Sequence, residues 1–162
     1  MTGTSYAIAI GSNRRHHRHG LPDCVIAAAV QALAKLGEVQ AVSRTHATAA
    51  MGPAGRRFAN AAVLLRTDRA PPALLQALKA LERQFGRRPG RRWGPRVLDL
   101  DIILWSGGSW SSGELTVPHP AFRERSFVLG PLTEIAPGWR DPLTGRTVRQ
   151  LAHASERRPV RA

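Results

Sequence analysis

Apolar and polar positions change period several times along this chain, and each change marks an element. In "SYAIAIGSN" (Ser5 to Asn13) small and β-prone residues alternate until Gly11, which predicts a first strand. After the basic loop "RRHHRHG", Pro22 opens "PDCVIAAAVQALAKLG", where Val25, Ala29, Leu33 and Leu36 recur at helical spacing until Gly37 stops them. The segments "EVQAVSRTHAT" and "FANAAVLLRT" read as two strands joined by the loop "MGPAGRR". "PPALLQALKALERQFG" is a second helix, again opened by proline and closed by glycine, and "RVLDLDIILW" is a last strand. The order β-α-β-β-α-β is the split βαβ pattern of a ferredoxin-like α+β sandwich, a mainly antiparallel sheet with helices packed on it. The final third, from Ser106, extends that unit with the turn-rich "SGGSWSSGE", a "LTVPHP" edge and a short helix in "RSFVLGPLTEIA". Without an internal repeat or a dividing linker, residues 1–162 read as one domain, and about 155–162 as a flexible tail.

Composition narrows the setting. A domain of 162 residues buries about 68–70% of its unfolded surface and needs no staples. Cys24 is the only cysteine, which excludes an intramolecular disulfide and a multi-cysteine metal site and fits a reducing compartment. The N-terminal apolar run has no basic residue before it, unlike a signal peptide, and no segment is long enough to span a bilayer. A cytoplasmic, membrane-free, monomeric protein is expected. The net charge of +13 (24 Lys+Arg against 11 Asp+Glu) points to anionic partners, nucleic acid or polyphosphate, without choosing between them. The "RRHHRH" loop reads as a solvated insertion.

The chemistry concentrates in "RRWGPRVLDLDIILW", Arg91 to Trp105. Residues two apart in a strand share a face, so Asp99 and Asp101 stand together, about 6–7 Å apart at Cα, while Leu98, Leu100 and Ile102 face the core. Buried charge needs a partner. The two carboxylates either pair with nearby arginines or hold hard cations such as Mg²⁺ against a polyphosphate. Arg87, Arg88, Arg91, Arg92 and Arg96 bring more positive charge than two carboxylates use, which favours the second. Phosphoryl transfer needs charge stabilisation and positioning more than a covalent nucleophile. The P-loop, the kinase glycine-rich loop and the H-R-D catalytic loop are all absent, so those ATP scaffolds are excluded.

"RWGPRVLDLDII" (Arg92 to Ile103) resembles the signature of the 6-hydroxymethyl-7,8-dihydropterin pyrophosphokinase family, and the likeness extends over "AIGSN", "FANAAV", "LERQFGR" and "LTVPHPAFRERSFVLGPLTEIAP". The resemblance implies Mg²⁺-dependent transfer of pyrophosphate from ATP to 6-hydroxymethyl-7,8-dihydropterin in folate biosynthesis, leaving AMP, with two Mg²⁺ ions and no nucleic acid as partner. It makes Asp99 and Asp101 the metal ligands and, with Arg87 and Arg96, the catalytic group. It sets Glu82, Arg92, Trp93, Arg96, Ile102, Thr116, His119 and Arg125 on the ATP side. Thr48, Met51, Phe58, Asn60 and Phe127 fall on the pterin side, two aromatics sandwiching the ring and the asparagine reading its amide edge. His46 and Phe58 stand where the family often has tyrosine, Ala49 and Ala50 replace prolines, and the loop before Trp93 is about one residue short.

Two other readings fit parts of the pattern. An RNA-binding module would suit the sheet and the charge, but the RNP1 pattern is missing and two carboxylates on the sheet face repel phosphate without metal. Another D-x-D transferase would not need the extended "RWGPR" context.

Overall fold

A computed structural model describes residues 3–13, 20–48, 58–86 and 97–157. Its main sheet holds strands β1 (Thr4–Ser12), β2 (Glu38–Val42), β3 (His46–Thr48), β4 (Phe58–Thr67) and β5 (Asp99–Trp105). The order is β2-β4-β1-β5, with β3 continuing along β4, and every pairing is antiparallel. Helices α1 (Pro22–Leu33) and α2 (Pro71–Gln84) supply the two crossovers, each entered by proline at its first position. This is the ferredoxin-like arrangement expected from the element order.

Period two divides the sheet into two faces. Ile8, Ile10, Ala61, Val63, Leu65, Leu100 and Ile102 pack against α1 and α2, meeting Val25, Ala29, Leu33, Leu74 and Leu78. On the other face Ala7, Ala62, Ile103 and Leu104 meet a second layer. That layer comprises a 3₁₀ turn (Phe122–Glu124), α3 (Ser126–Ile135) and α4 (Val148–Glu156). A β-bulge explains how the neighbours Ile103 and Leu104 both serve this second core. Ala7 pairs with Leu104 and Ile8 with Ile102, so Ile103 has no opposite residue.

Several boundaries differ from the expectation. The single strand expected over "EVQAVSRTHAT" is broken at Ser43. The Ser43 backbone N–H donates to Ala62 O (2.9 Å) and its Oγ accepts from Ala62 N (2.8 Å), so a hydroxyl replaces a carbonyl in the ladder and β3 restarts three residues on. The last strand begins at Asp99, with Val97 and Leu98 ahead of it outside the ladder, and Arg96 lies outside the described residues. Of the tail expected from about residue 155, Ser155 and Glu156 belong to α4 and Arg157 caps it, while 158–162 lie outside the described residues. Its start carries a readable signal, a T-x-x-Q capping box. Gln150 N donates to Thr147 Oγ1 (3.1 Å) and Thr147 N donates to Gln150 Oε1 (2.9 Å).

Ahead of α4, the fully buried Asp141 gathers the loop and the 3₁₀ turn. It accepts from Arg123 Nε (2.6 Å) and Nη2 (2.9 Å), Leu143 N (3.0 Å) and Thr144 Oγ1 (2.8 Å). Among the described residues, no helix is long and apolar enough to cross a membrane.

Candidate active site

The second helical layer covers one half of its sheet face and leaves the ends of β1, β4 and β5 open. There the register sets Asn60, Gly11 and Asp99 in one row, and Ala62, Ala9 and Asp101 in the next. Period two points all six to the same side. The centre of each row is small, Gly11 in one and Ala9 in the other; a Cβ on Gly11 would stand in ordinary contact, 3.4 Å from Asn60 Oδ1 and 3.9 Å from the Asp99 Cβ. The result is a cleft of about 490 Å³, floored by β1 and bordered by Phe58, Asn60, Asp99, Asp101, Arg125 and Phe127, a size suited to a small-molecule ligand.

Its walls are aromatic. Phe58 opens β4 and Phe127 sits in the first turn of α3; 40% and 45% of their surfaces remain exposed, in a protein that buries its other phenylalanines. The Arg125 guanidinium carbon lies 5.7 Å from the Phe127 ring centre, within cation–π range. Arg125 also occupies the N-cap of α3, so the helix start fixes Arg125 and Phe127 together.

Of the residues assigned from sequence, Phe58, Asn60, Asp99, Asp101, Arg125 and Phe127 meet in this one cleft. His119 stands beside it, in the field of Asp101 and Arg125. Burial pulls its pKa below the usual histidine range; Asp101 opposes that shift and Arg125 adds to it. His119 Nδ1 accepts from Ala121 N (3.2 Å), which leaves the proton on Nε2 and makes the ring a neutral donor. Thr116 is exposed on β7 (Thr116–Val117), paired with β6 (Trp110–Ser111). Thr48 ends β3 opposite Phe58. Met51, Arg87, Arg92, Trp93 and Arg96 lie outside the described residues.

The structure adds detail to two further assignments. Ile102 is only 3% exposed and its side chain packs in the α1/α2 core, because it alternates away from the aspartates; only its backbone is left to meet a nucleotide. Glu82 is buried on α2, and its Oε2 accepts from the backbone N of Leu100 (2.9 Å), the residue between the two aspartates. Since β5 is an edge strand, this bond holds the D-x-D backbone in place from its open side. Glu82 thus ties α2 to the backbone between the two aspartates. Sequence reasoning also gave no role to Ala9, Gly11, Ser12, Asn13 and Val128, which complete the lining. The signal available for them was "GSN" at the end of the first strand.

The donor chemistry suits a hard cation. Among the described residues no third His, Cys, Asp or Glu joins the pair in a metal-binding group. Two carboxylates facing an open cleft match Mg²⁺, which keeps much of its water and takes its remaining oxygens from phosphate.

Residues 7–137 match the family model for 7,8-dihydro-6-hydroxymethylpterin-pyrophosphokinase (HPPK). The 2-amino-4-hydroxy-6-hydroxymethyldihydropteridine pyrophosphokinase of Pseudomonas aeruginosa is 41% identical over 150 residues, covering 91% of this chain and 89% of that protein. The protein of the same name from Synechocystis is 46% identical over 114 residues, 70% of this chain; this chain spans 58% of that relative's length. A crystal structure of HPPK-DHPS in complex with substrates superposes with a TM-score of 0.75 at 11% identity, over 95% of this chain and 45% of that one, and shows a shared fold.

Proposed function

The chain belongs to the HPPK family of folate-biosynthesis pyrophosphokinases, and from that premise we propose that it moves the β,γ-pyrophosphoryl group of ATP to the hydroxymethyl oxygen of 6-hydroxymethyl-7,8-dihydropterin. The observation that carries this reading is one cleft with two chemistries. Phe58, Phe127 and Asn60 suit a flat heterocycle with a polar edge, and one residue across the floor, past Gly11, stand two carboxylates suited to a metal–polyphosphate. An acceptor and a phosphoryl donor bound there are already neighbours, and proximity of that kind supplies much of a transfer enzyme's rate.

The residues divide the work. Phe58 and Phe127 stack on the two faces of the pterin, and the Asn60 carboxamide reads its amide edge. Asp99 and Asp101 would hold two Mg²⁺ ions, which would offset charge on the phosphoryl oxygens. His119 offers its Nε2 proton to a phosphate oxygen, and Arg125 adds positive charge at the cleft wall. Glu82 keeps Leu100, and with it both aspartates, at a fixed height on the strand. The alcohol oxygen bonds to the β-phosphorus as the bond between that phosphorus and the α,β-bridging oxygen breaks, AMP leaves, and the hydroxyl proton is released to solvent. The chain contributes position and charge, not a covalent intermediate.

Supplying ATP, Mg²⁺ and the reduced pterin alcohol is therefore expected to yield AMP and the pterin diphosphate in equal amounts. Accumulation of ADP would mean a conventional kinase and overturn the proposal. Phe58→Ala or Phe127→Ala is expected to weaken pterin binding by about 1–3 kcal/mol, the scale of one stacked aromatic contact, with ATP affinity nearly unchanged. Equal weakening of both ligands would show that the rings serve the fold.

A further inference from the structure

At the end of β1, two buried polar atoms have no hydrogen-bond partner among the described residues, Ser12 Oγ and Asn13 Oδ1, and both residues line the cleft. A buried carbonyl oxygen without a donor costs free energy, and native structures retain such atoms where a ligand or function compensates. Asn13 directly follows β1, two residues after Gly11, which stands between Asn60 and Asp99. Asn60 directs its own Oδ1 towards Gly11, 3.4 Å from where a Cβ would stand. Around this floor glycine the strand ends therefore present two carboxamide oxygens, and a carboxamide oxygen only accepts.

The ligand to which an acceptor belongs must bring N–H or O–H groups. A reduced pterin carries them on its amino group, its ring nitrogens and its hydroxymethyl arm, whereas a triphosphate bound by aspartates and arginine has only acceptor oxygens. We propose that Asn13 is a further pterin-positioning residue, its Oδ1 accepting a hydrogen bond from an N–H or O–H of the substrate beside the bond made by Asn60. The inference rests on the pterin-binding reading of the cleft. It explains why a strand end would keep an unpaired oxygen: the bond is completed only when substrate is present.

The test is direct titration of pterin and of Mg-ATP, by calorimetry or fluorescence, on the wild-type chain, Asn13→Ala and Asn13→Asp, with melting temperatures. Asn13→Ala is expected to raise the pterin Kd about tenfold, leave the ATP Kd within about twofold and leave the melting temperature unchanged or slightly higher, since it deletes an unsatisfied atom. Asn13→Asp keeps an acceptor oxygen and is expected to recover part of the lost pterin affinity. An unchanged pterin Kd in Asn13→Ala overturns the proposal. So does a parallel loss of both affinities with a fall in melting temperature, which would make Asn13 a structural residue. If the wild-type chain itself binds no pterin, the functional reading fails first, and the two failures remain distinct.

Discussion

Asparagine at position 99 or 101 is expected to leave a folded protein that no longer transfers pyrophosphate. Both aspartates are partly exposed on the open face of β5, while the strand's contribution to the core comes from Leu100 and Ile102 on the other side. A carboxamide keeps the size and removes the charge, so the fold has no packing reason to fail. Turnover has an electrostatic one. The metal offsets charge that builds on the phosphoryl oxygens, and removing one preorganised electrostatic contact of this kind costs on the order of 10²-fold or more. The competing account makes each aspartate an ion-pair partner for the arginines of the "RRPGRRWGPR" loop. It predicts the reverse pattern: a stranded guanidinium, a lower melting temperature and an unaltered Mg²⁺ requirement. Melting temperature and AMP formation across a Mg²⁺ titration, measured on the same two variants, separate them. A destabilised but active Asp101→Asn protein would end the metal-site assignment.

How far such a site is legible from sequence depends on whether its residues obey a local rule. Asp99 and Asp101 were visible because strand alternation is local, and it sets Leu98, Leu100 and Ile102 in the core. That same alternation leaves Ile102, set on the ATP side by the resemblance, only its backbone to offer a nucleotide. Gly11 and Asn13 were quoted in "AIGSN" without a role. Their place becomes evident only when β4 and β5 are laid on either side of β1, a tertiary fact with no signature in the strand itself. Glu82 is similar: one carboxylate in the amphipathic pattern of α2 reads as a solvated charge or a ligand contact until Leu100 N is found 2.9 Å from its Oε2. The break at Ser43 depends on Ala62, nineteen residues away in sequence. The start of α4 was the opposite case, since its capping box is local and was overlooked.

The last prediction joins stability to this geometry. Asp141→Asn is expected to cost about 3 kcal/mol at neutral pH, because removing one partner of a buried pair leaves the other uncompensated. The lower end of the usual range applies because the Arg123 side chain retains 23% exposure. Burial by itself would raise the Asp141 pKa, but the bonds from Arg123, Leu143 N and Thr144, with the Arg123 charge, bring it down from 3.8 to about 2. A carboxyl held below its unfolded value stabilises the fold above that unfolded value and stops doing so as pH falls through the folded one. Wild-type protein should therefore lose about 2 kcal/mol of stability between roughly pH 4 and pH 2 from this group, and Asp141→Asn should be flatter across that window. The consequence reaches the cleft through short chain connections. Arg123 lies in the 3₁₀ turn that ends at Arg125, and Arg125 caps the helix that presents Phe127. Loosening the turn should shift both residues, so the pterin Kd is expected to rise in Asp141→Asn even at temperatures where the variant is fully folded. A variant as stable as wild type at pH 7, with the same acid slope and the same pterin affinity, would show that Asp141 only fills space in its loop.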